Sequence, residues 1–509
     1  MRGMIAVSGT IQIGQIVHDA GMVPLLRVHT TNTAPERPSG EYVLYWMIAH
    51  RRPFWNQALE HAVGQAQRLA KPLLIFEPLR LGYQWASDRL HQMVIEGMRD
   101  NAEAFARSSA TYVPWVELTP DAGKGLLESL ARRACLVITD EFPCFFLPRM
   151  VAAAALRLDV CLQTVDANGL LPLRATDKAR DRAFDFRRML HKELRPHLGQ
   201  FPVADPLLQI RLPRLKTLPP ELVPADLTNL LAGGIARLPI DHAVGPAIMR
   251  GGWKAADATL EDFLANKLSR YAEERSDVES DAASGLSPYL HFGHMSAHQV
   301  VAAVWAQESW SPERLGTSTS GSREGWWGMS VNAESFLDEL VTWRELGYHF
   351  CFHRPDFERY ESLPAWARAS LDAQEKAPRK HLYSLAEFTA GKTHDPLWNA
   401  AQGQLVREGR MHNYLRMLWA KKVLEWSASP RDALSTLIEL NNRFAVDGRN
   451  PNSYSGIMWS LGRFDRPWAP QRPIFGCIRY MSSDNTARKM RVKEYIARYT
   501  SGAVQEKFL

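Results

Sequence analysis

The chain has 509 residues, 46% of them hydrophobic and 23% charged, with a net charge of +6; this balance excludes wholesale disorder and, at this length, predicts at least two folded domains. No apolar run approaches the roughly 20 residues a membrane helix needs, since the richest, around 151–155, is flanked by Arg149, Arg157 and Asp159. His18 and Asp19 interrupt the only early stretch resembling a signal-peptide core, so a cytoplasmic protein is expected.

In chain order, Tyr42 to Met47 is a short apolar run of strand formers, followed by a helical pattern from Trp55 through Leu69. Pro72 to Phe76, Thr111 to Trp115 and Leu136 to Thr139 repeat the strand signal, with an amphipathic stretch from Ser87 to Ala106 between the first two. Strands alternating with helices predict an α/β domain with a parallel sheet, whose ligands sit at the carboxyl ends of the strands. No GxGxxG follows any strand, so a dinucleotide fingerprint is missing. Prolines cluster at 202, 206, 213, 219, 220 and 224 and read as an extended connector. Beyond it helical patterns dominate: 258–274, 296–307, 333–351, 396–408, 413–426 and 430–444. The stretch 308–331, with Ser-Thr-Ser-Gly-Ser at 318–322, reads as an exposed loop or insertion. The resulting division is an α/β domain at 27–200, a linker at 201–256 and an all-helical domain at 257–509.

Five widely spaced cysteines, none in a CxxC pair, read as reduced core thiols and give no metal site. The basic balance, with pI near 9.0, is compatible with a polyanionic partner without requiring one. Sixteen tryptophans are the unusual count, because these rings serve for stacking, burial and electron transfer alike.

Four stretches carry a resemblance: Ser284-Gly-Leu-Ser-Pro-Tyr-Leu-His-Phe-Gly293, Thr393-His-Asp-Pro-Leu-Trp-Asn-Ala-Ala401, Met411-His-Asn-Tyr-Leu-Arg-Met-Leu-Trp-Ala-Lys-Lys422 and Asp447-Gly-Arg-Asn-Pro-Asn-Ser-Tyr-Ser-Gly-Ile-Met-Trp-Ser460. With Arg472 to Met481 they resemble, in order and spacing, the FAD-binding domain of the class II cyclobutane pyrimidine dimer photolyases, over about residues 257–498. The resemblance implies an antenna-type α/β domain joined to an all-helical FAD-binding catalytic domain. It also implies light-driven repair of UV-damaged duplex DNA by electron transfer from reduced FAD, in a monomer.

Residue by residue, the resemblance makes Tyr271, Ser284, Leu286 and Ser287 contacts on the phosphate side of FAD. The serines and amides at a helix start suit a diphosphate in any case. Arg416 and Asp447 correspond to the pair beside the flavin ring, where an arginine would favour the anionic reduced form. Asn441 corresponds to the amide beside flavin N5. Trp398, Trp419 and Trp426 reproduce the spacing of the family's electron-transfer chain, with a branch through Tyr383 left open. On spacing alone, Trp419 and Trp426, two helical turns apart, also read as plain core. Glu339, Trp343, Met417 and Trp459 correspond to the dimer pocket, where flat apolar walls and a carboxylate would receive a flipped lesion. Arg466, Trp468 and Arg479 correspond to the residues that clamp the gapped duplex. His291 and His294 read as structural.

The first half resembles the family less closely. Between Met47 and Asn56, Ile48-Ala-His-Arg-Arg-Pro-Phe-Trp55 stands where class II members carry a polar Gln-Arg run, which leaves a second, antenna chromophore open: a deazaflavin, another flavin, a folate or none. Three functions also stay open at this point: a cryptochrome-like photosensor, a photolyase for another lesion, and a DNA-binding protein with an inactive fold. Retention of the four dimer-pocket residues favours repair.

Overall fold

A computed structural model describes residues 23–500. The stretch around His18 and Asp19, and residues 501–509 at the end of the expected helical domain, lie outside the described residues.

The first half is built on a six-stranded sheet: β1 (Val28–Thr30), β2 (Tyr42–Trp46), β3 (Leu73–Leu79), β4 (Thr111–Val116), β5 (Ala134–Asp140) and β6 (Leu162–Val165). Its order is β1-β6-β5-β2-β3-β4, parallel except for β1, which runs antiparallel to β6 at the edge. β2 is buried along its whole length, as a central parallel strand covered on both faces requires. Val43, Tyr45, Ile75 and Ile138 pack on the apolar face of the helix Gln57–Leu69. Leu44, Trp46, Leu74, Phe76 and Val137, pointing the other way, join the core shared with the helical half.

The chain order reverses between β2 and β5, and that switch point is tied at its carboxyl end by Asp140. Its carboxylate accepts the N–H groups of Ile48, Ala49 and His50 at 2.8, 2.7 and 2.9 Å and the Tyr45 hydroxyl at 2.6 Å. The 48–55 loop, where the resemblance departs, is therefore pinned at its root.

Among the described residues no strand follows β6. The helices Ala297–Gln307, Pro396–Glu408, Asn413–Trp426 and Pro430–Phe444 fall where the periodicity places them, and a further helix, Pro451–Ser460, lies within the 447–460 motif. Their starts are written in the sequence. Ser296, Asp395, Ser429 and Asn450 each accept a free first-turn N–H, and Pro396, Pro430 and Pro451 stand where no donor is needed.

Three expectations change. The predicted helix at 258–274 is Trp253–Asp262, a π turn, a 3-10 turn and Tyr271–Glu274. The one at 333–351 is Val331–Leu337 and Arg344–His353 joined by a π turn, Asp338–Trp343. The 308–331 stretch is exposed only in part. Trp310, Leu315, Trp326 and Trp327 are buried, Trp310 donates to the Trp327 carbonyl, and Trp326 stacks on His191 at 4.1 Å. The tip, 317–320 and 322–325, faces solvent, as do Ser309, Ser311, Glu313, Arg314, Ser330 and Val331 nearer its base.

The proline-rich stretch is held against the first half. Leu207 and Leu212 join the core under Gln57–Leu69, and Leu230, Ile235 and Leu238 pack with Val94, Ile95 and Met98 of the helix Asp88–Phe105. Four cysteines are buried, Cys477 is half-buried, and all five are free thiols. No helix among the described residues is long and apolar enough to cross a membrane, and they contain no metal-ligating cluster.

Candidate functional site

The motif residues converge on the helix Asn413–Trp426. Arg416 lies on its exposed side and its Nη2 donates to Asp447 at 2.8 Å; the other oxygen of Asp447 accepts the Ser287 hydroxyl at 2.8 Å. Three motifs separated by 160 residues thus meet at one carboxylate. Burial works to raise the Asp447 pKa, but the guanidinium and the hydroxyl hold it below the ordinary carboxylate value, so the group stays ionised. A guanidinium has five donors and Asp447 takes one, which leaves Arg416 with N–H groups to spare for a ligand.

Ser287 is exposed at the start of a five-residue helix, Ser287–His291, and Gly285 before it has φ +70°. The Ser284 hydroxyl accepts the Leu286 N–H at 3.4 Å. The Leu286 side chain is buried in the core, so only its backbone is free to meet a ligand. Tyr271 is nearly buried between Phe263 and Phe336, and desolvation pushes its phenol up to about 12.

Asn441 lies near the end of Pro430–Phe444, and its Nδ2 donates to Asn442 Oδ1 at 3.1 Å. Asn442 in turn accepts the Arg449 N–H and donates to the Tyr454 hydroxyl, which ties the turn after the helix. Gly448 is required there: a Cβ would lie 2.7 Å from the Asn441 carbonyl oxygen.

The tryptophans form a file. Trp419 and Trp398 are parallel with centroids 6.4 Å apart, Trp398 and Trp426 are 5.9 Å apart, and Trp426 meets Tyr383 at 5.7 Å. Trp398 Nε1 donates to the Trp419 carbonyl, and Trp419 Nε1 donates to Gln402 Oε1 at 3.0 Å. Gln402 is fully buried on the same helix as Trp398 and orients the Trp419 ring. Sequence reading missed it, because a glutamine inside a helical pattern gives no local signal.

Trp343 and Trp459 meet edge to face at 5.4 Å and both keep an exposed side. Arg187 lies over Trp343 at 4.4 Å while pairing with Asp338 at 2.7 Å, a second contact the sequence did not announce. Glu339 is half-buried and ion-paired with Arg275. Glu339 and Trp343 belong to the π turn, a device common at functional positions. Met417 follows Arg416 directly on the helix Asn413–Trp426 and is half-buried, while Trp343 and Trp459 belong to the π turn and to the helix Pro451–Ser460. Arg466 and Arg479, both exposed residues, lie over the Trp468 ring at 4.8 and 5.2 Å from its centroid.

A second opening lies at the carboxyl ends of β2 to β5. It is a cavity of about 650 Å³ walled by Trp46, Phe76, Trp115, Phe142, Phe145 and Phe146 and reached by Arg51, Arg80 and Lys124. Its far wall is His291, Phe292 and Arg449, from the motifs that also carry Ser287 and Asp447. The two halves touch here. Gly293, at φ +73°, lies so close that a Cβ would come within 1.9 Å of the Ala49 carbonyl, and Arg52 donates to the Gly293 carbonyl at 3.0 Å. His291 and His294 are structural as expected, bonding Asn450 and the Gly252 N–H.

A profile described as the FAD binding domain of DNA photolyase matches residues 336–426. The deoxyribodipyrimidine photo-lyase of Methanothermobacter thermautotrophicus is 32% identical over 478 residues, covering 94% of this chain and 98% of that one. That of Oryza sativa subsp. japonica is 33% identical over 489 residues, covering 92% and 90%. In fold, the chain is similar to a class III photolyase from Agrobacterium tumefaciens (TM-score 0.67, 19% identity, 90% and 86% covered). It is also similar to a cryptochrome from Synechocystis sp. PCC6803 (TM-score 0.62, 15% identity, 90% and 88% covered). With relatives at this identity aligned along almost their whole length, the chain belongs to the deoxyribodipyrimidine photo-lyase family, as an FAD-binding enzyme.

Proposed function

We infer that the enzyme repairs cyclobutane pyrimidine dimers in UV-damaged duplex DNA, in the manner of class II photolyases. The observation that carries this reading is the half-open Trp343–Trp459 corner: Trp459 stands on the helix Pro451–Ser460, which Lys421 ties to Asn413–Trp426, the helix that carries Arg416 of the Arg416–Asp447–Ser287 cluster. A photosensor would need the cluster and the tryptophan file but not an aromatic corner left uncovered.

Bound FAD, when reduced and illuminated, supplies the electron that splits the lesion and takes it back afterwards. Arg416 and Asp447 hold a fixed charge pair beside the ring, and the spare N–H groups of the guanidinium favour its anionic form. Ser284, Ser287 and the backbone at Leu286 bind on the phosphate side, with Tyr271 behind them. Asn441 offers an amide that both donates and accepts at N5. Trp343, Trp459 and Met417 are the flat walls for a flipped dimer, and Glu339 hydrogen-bonds its edge. Trp468, stiffened by two guanidinium groups, fills the gap in the duplex while Arg466 and Arg479 hold phosphates. Trp419, Trp398, Trp426 and Tyr383 carry electrons inward when the flavin needs reducing. The aromatic cavity at the sheet's carboxyl edge suits a planar second chromophore with an anionic tail, since its volume lies in the usual range for ligand pockets and its mouth is basic.

The test is to reduce the purified protein anaerobically and illuminate it with a thymine-dimer oligonucleotide while following recovery of thymine absorbance. Light-dependent recovery is expected, with binding that weakens steeply as salt rises. Bound, photoreducible FAD with no recovery would move the function to another lesion or to sensing.

A further inference from the structure

The outer end of the tryptophan file is built differently from its interior. Tyr383 meets Trp426 at 5.7 Å, and its backbone N–H donates to the Trp426 carbonyl at 3.2 Å. The Tyr383 hydroxyl accepts the main-chain N–H of His394 at 3.0 Å and lies 2.7 Å from Nδ1 of the same residue. With the main-chain N–H donating to the hydroxyl, the geometry suits donation of its single proton to Nδ1, the arrangement of the tautomer with the imidazole proton on Nε2. The His394 ring also meets Trp426 at 5.0 Å and stacks on His381 at 3.8 Å. The main chain on both sides of it is held. On one side Thr393 is locked to Asn399 by three hydrogen bonds; on the other Asp395 caps the Pro396–Glu408 helix through the Trp398 N–H.

We propose that His394 is the proton acceptor for one-electron oxidation of Tyr383, so that the file ends in a proton-coupled tyrosine; this rests on reading Trp419, Trp398 and Trp426 as the electron route. The step balances as follows. Once the electron of Trp426 has been drawn inward under light, Tyr383 gives one electron to the Trp426 radical cation, which returns to a neutral indole. The phenol O–H breaks at the same time and its proton forms an N–H bond at His394 Nδ1. The products are a neutral tyrosyl radical and an imidazolium. An external thiolate later gives Tyr383 one electron and becomes a thiyl radical, and the imidazolium returns the proton.

The surroundings favour this direction. Lys422 Nζ lies 5.3 Å from the Trp426 ring centroid, where it opposes a cation on the indole, although Glu425 pairs with it at 2.8 Å. After transfer the positive charge sits on His394, where Asp395 and Glu425 favour it and His381 and Lys422 oppose it. The groups facing His394 are His381, Asp395, Lys422 and Glu425; partial burial, then His381, hold its imidazole below the ordinary value, so it is neutral and able to accept at pH 7.

The experiment is transient absorption of the FAD-loaded full chain, in H2O and D2O, at neutral pH and below about pH 5. In the native protein the tryptophan radical should give way to a tyrosyl radical, more slowly in D2O, and the handover should vanish at the lower pH. In His394→Gln the tyrosyl yield should fall about a hundredfold, the size expected for loss of a positioned base, and the Trp426 radical should persist as it does in Tyr383→Phe. In the flavin-free chain with 15N-labelled histidine, the resonance lost in His394→Gln should report the Nε2–H tautomer and move in Tyr383→Phe. An equally fast tyrosyl radical in His394→Gln, without a solvent isotope effect, overturns the proposal and leaves the tryptophan route standing. So does a native protein that stops at a tryptophan radical. Photoreduction unchanged by Trp419→Phe removes the route and the proposal together.

Discussion

Asn441 and Trp419 separate two roles that activity alone would merge. The Asn441 amide is held by Asn442 on one side and by its place at the helix end, so on the proposed assignment removing it changes what faces the flavin and leaves the Trp343–Trp459 corner intact. Asn441→Ala should slow flavin photoreduction by at least about tenfold and leave lesion binding unchanged; photoreduction at the native rate would remove the assignment. Trp419→Phe should abolish photoreduction and yet spare repair once the enzyme is reduced chemically, because in the proposed mechanism the file serves only to reduce the flavin. Continued photoreduction would show that electrons enter another way. Asn441 lies outside the motif stretches and was named only through the family resemblance, whereas Trp419 was legible because it sits in a motif of fixed spacing. Gln402, Arg187 and Arg275 were not, since each acts through a partner 17, 151 or 64 positions away in the chain. His394 stood inside a motif and still passed unnoticed, as its partner Tyr383 lies in a different segment.

The two halves are joined by buried side chains on helix ends. Arg89, on the helix Asp88–Phe105, is buried and donates to the carbonyls of Phe444, Leu405, Val406 and Gly245. It thereby satisfies carbonyls at or near the last turns of Pro430–Phe444 and Pro396–Glu408, which carry Asn441 and Trp398. Arg89→Met keeps the stem but takes the arginine donors from the Phe444 and Val406 carbonyls, while Leu405 still accepts the Gly409 N–H; it should cost about 2–3 kcal/mol and loosen FAD. A lowered melting temperature and flavin lost on gel filtration would show it; an unchanged melting curve would refute it. The sequence places such an arginine on the polar face of an amphipathic helix, where it reads as solvated. β2 to β5 were legible from their apolar runs, whereas β1 and β6 were not. β1 has only three residues on a partly exposed edge, and the polar Gln163 breaks the apolar run of the four-residue β6. The π turn at Asp338–Trp343 also escapes periodicity, because it inserts itself into an otherwise continuous helical pattern.

Across the molecule, burial of histidines sets the response to acid. Desolvation lowers His50, His91 and His349 to about 4 and His294 to about 3, and takes His298 well down. All five are neutral when folded and protonate near their ordinary value of 6.5 when unfolded, so their contribution is complete above pH 6.5 and is lost as pH falls. Each adds up to about 1.4 kcal/mol per pH unit over that interval. Glu345 acts in the opposite sense. Burial raises it to about 7, so its contribution is present below its ordinary value and fades as pH rises through 7. The histidines outnumber it, and the melting temperature should fall steeply between pH 6.5 and 4.5; calorimetry giving a flat profile there would contradict the buried neutral state. The division into a sheet half and a helical half was legible from the alternation of patterns, while the cavity between them was not, since its walls come from six separate segments.

The insertion at 308–331 offers one practical opening. Its base is pegged by Trp310, Trp326 and Trp327, while its tip stands in solvent, and four of the five native thiols are shut inside the core. A cysteine introduced at Ser320 would therefore accept a maleimide dye selectively and hold it on a stiff mount. The chain could then be tethered or watched one molecule at a time, with its own indoles and cofactor left unlabelled.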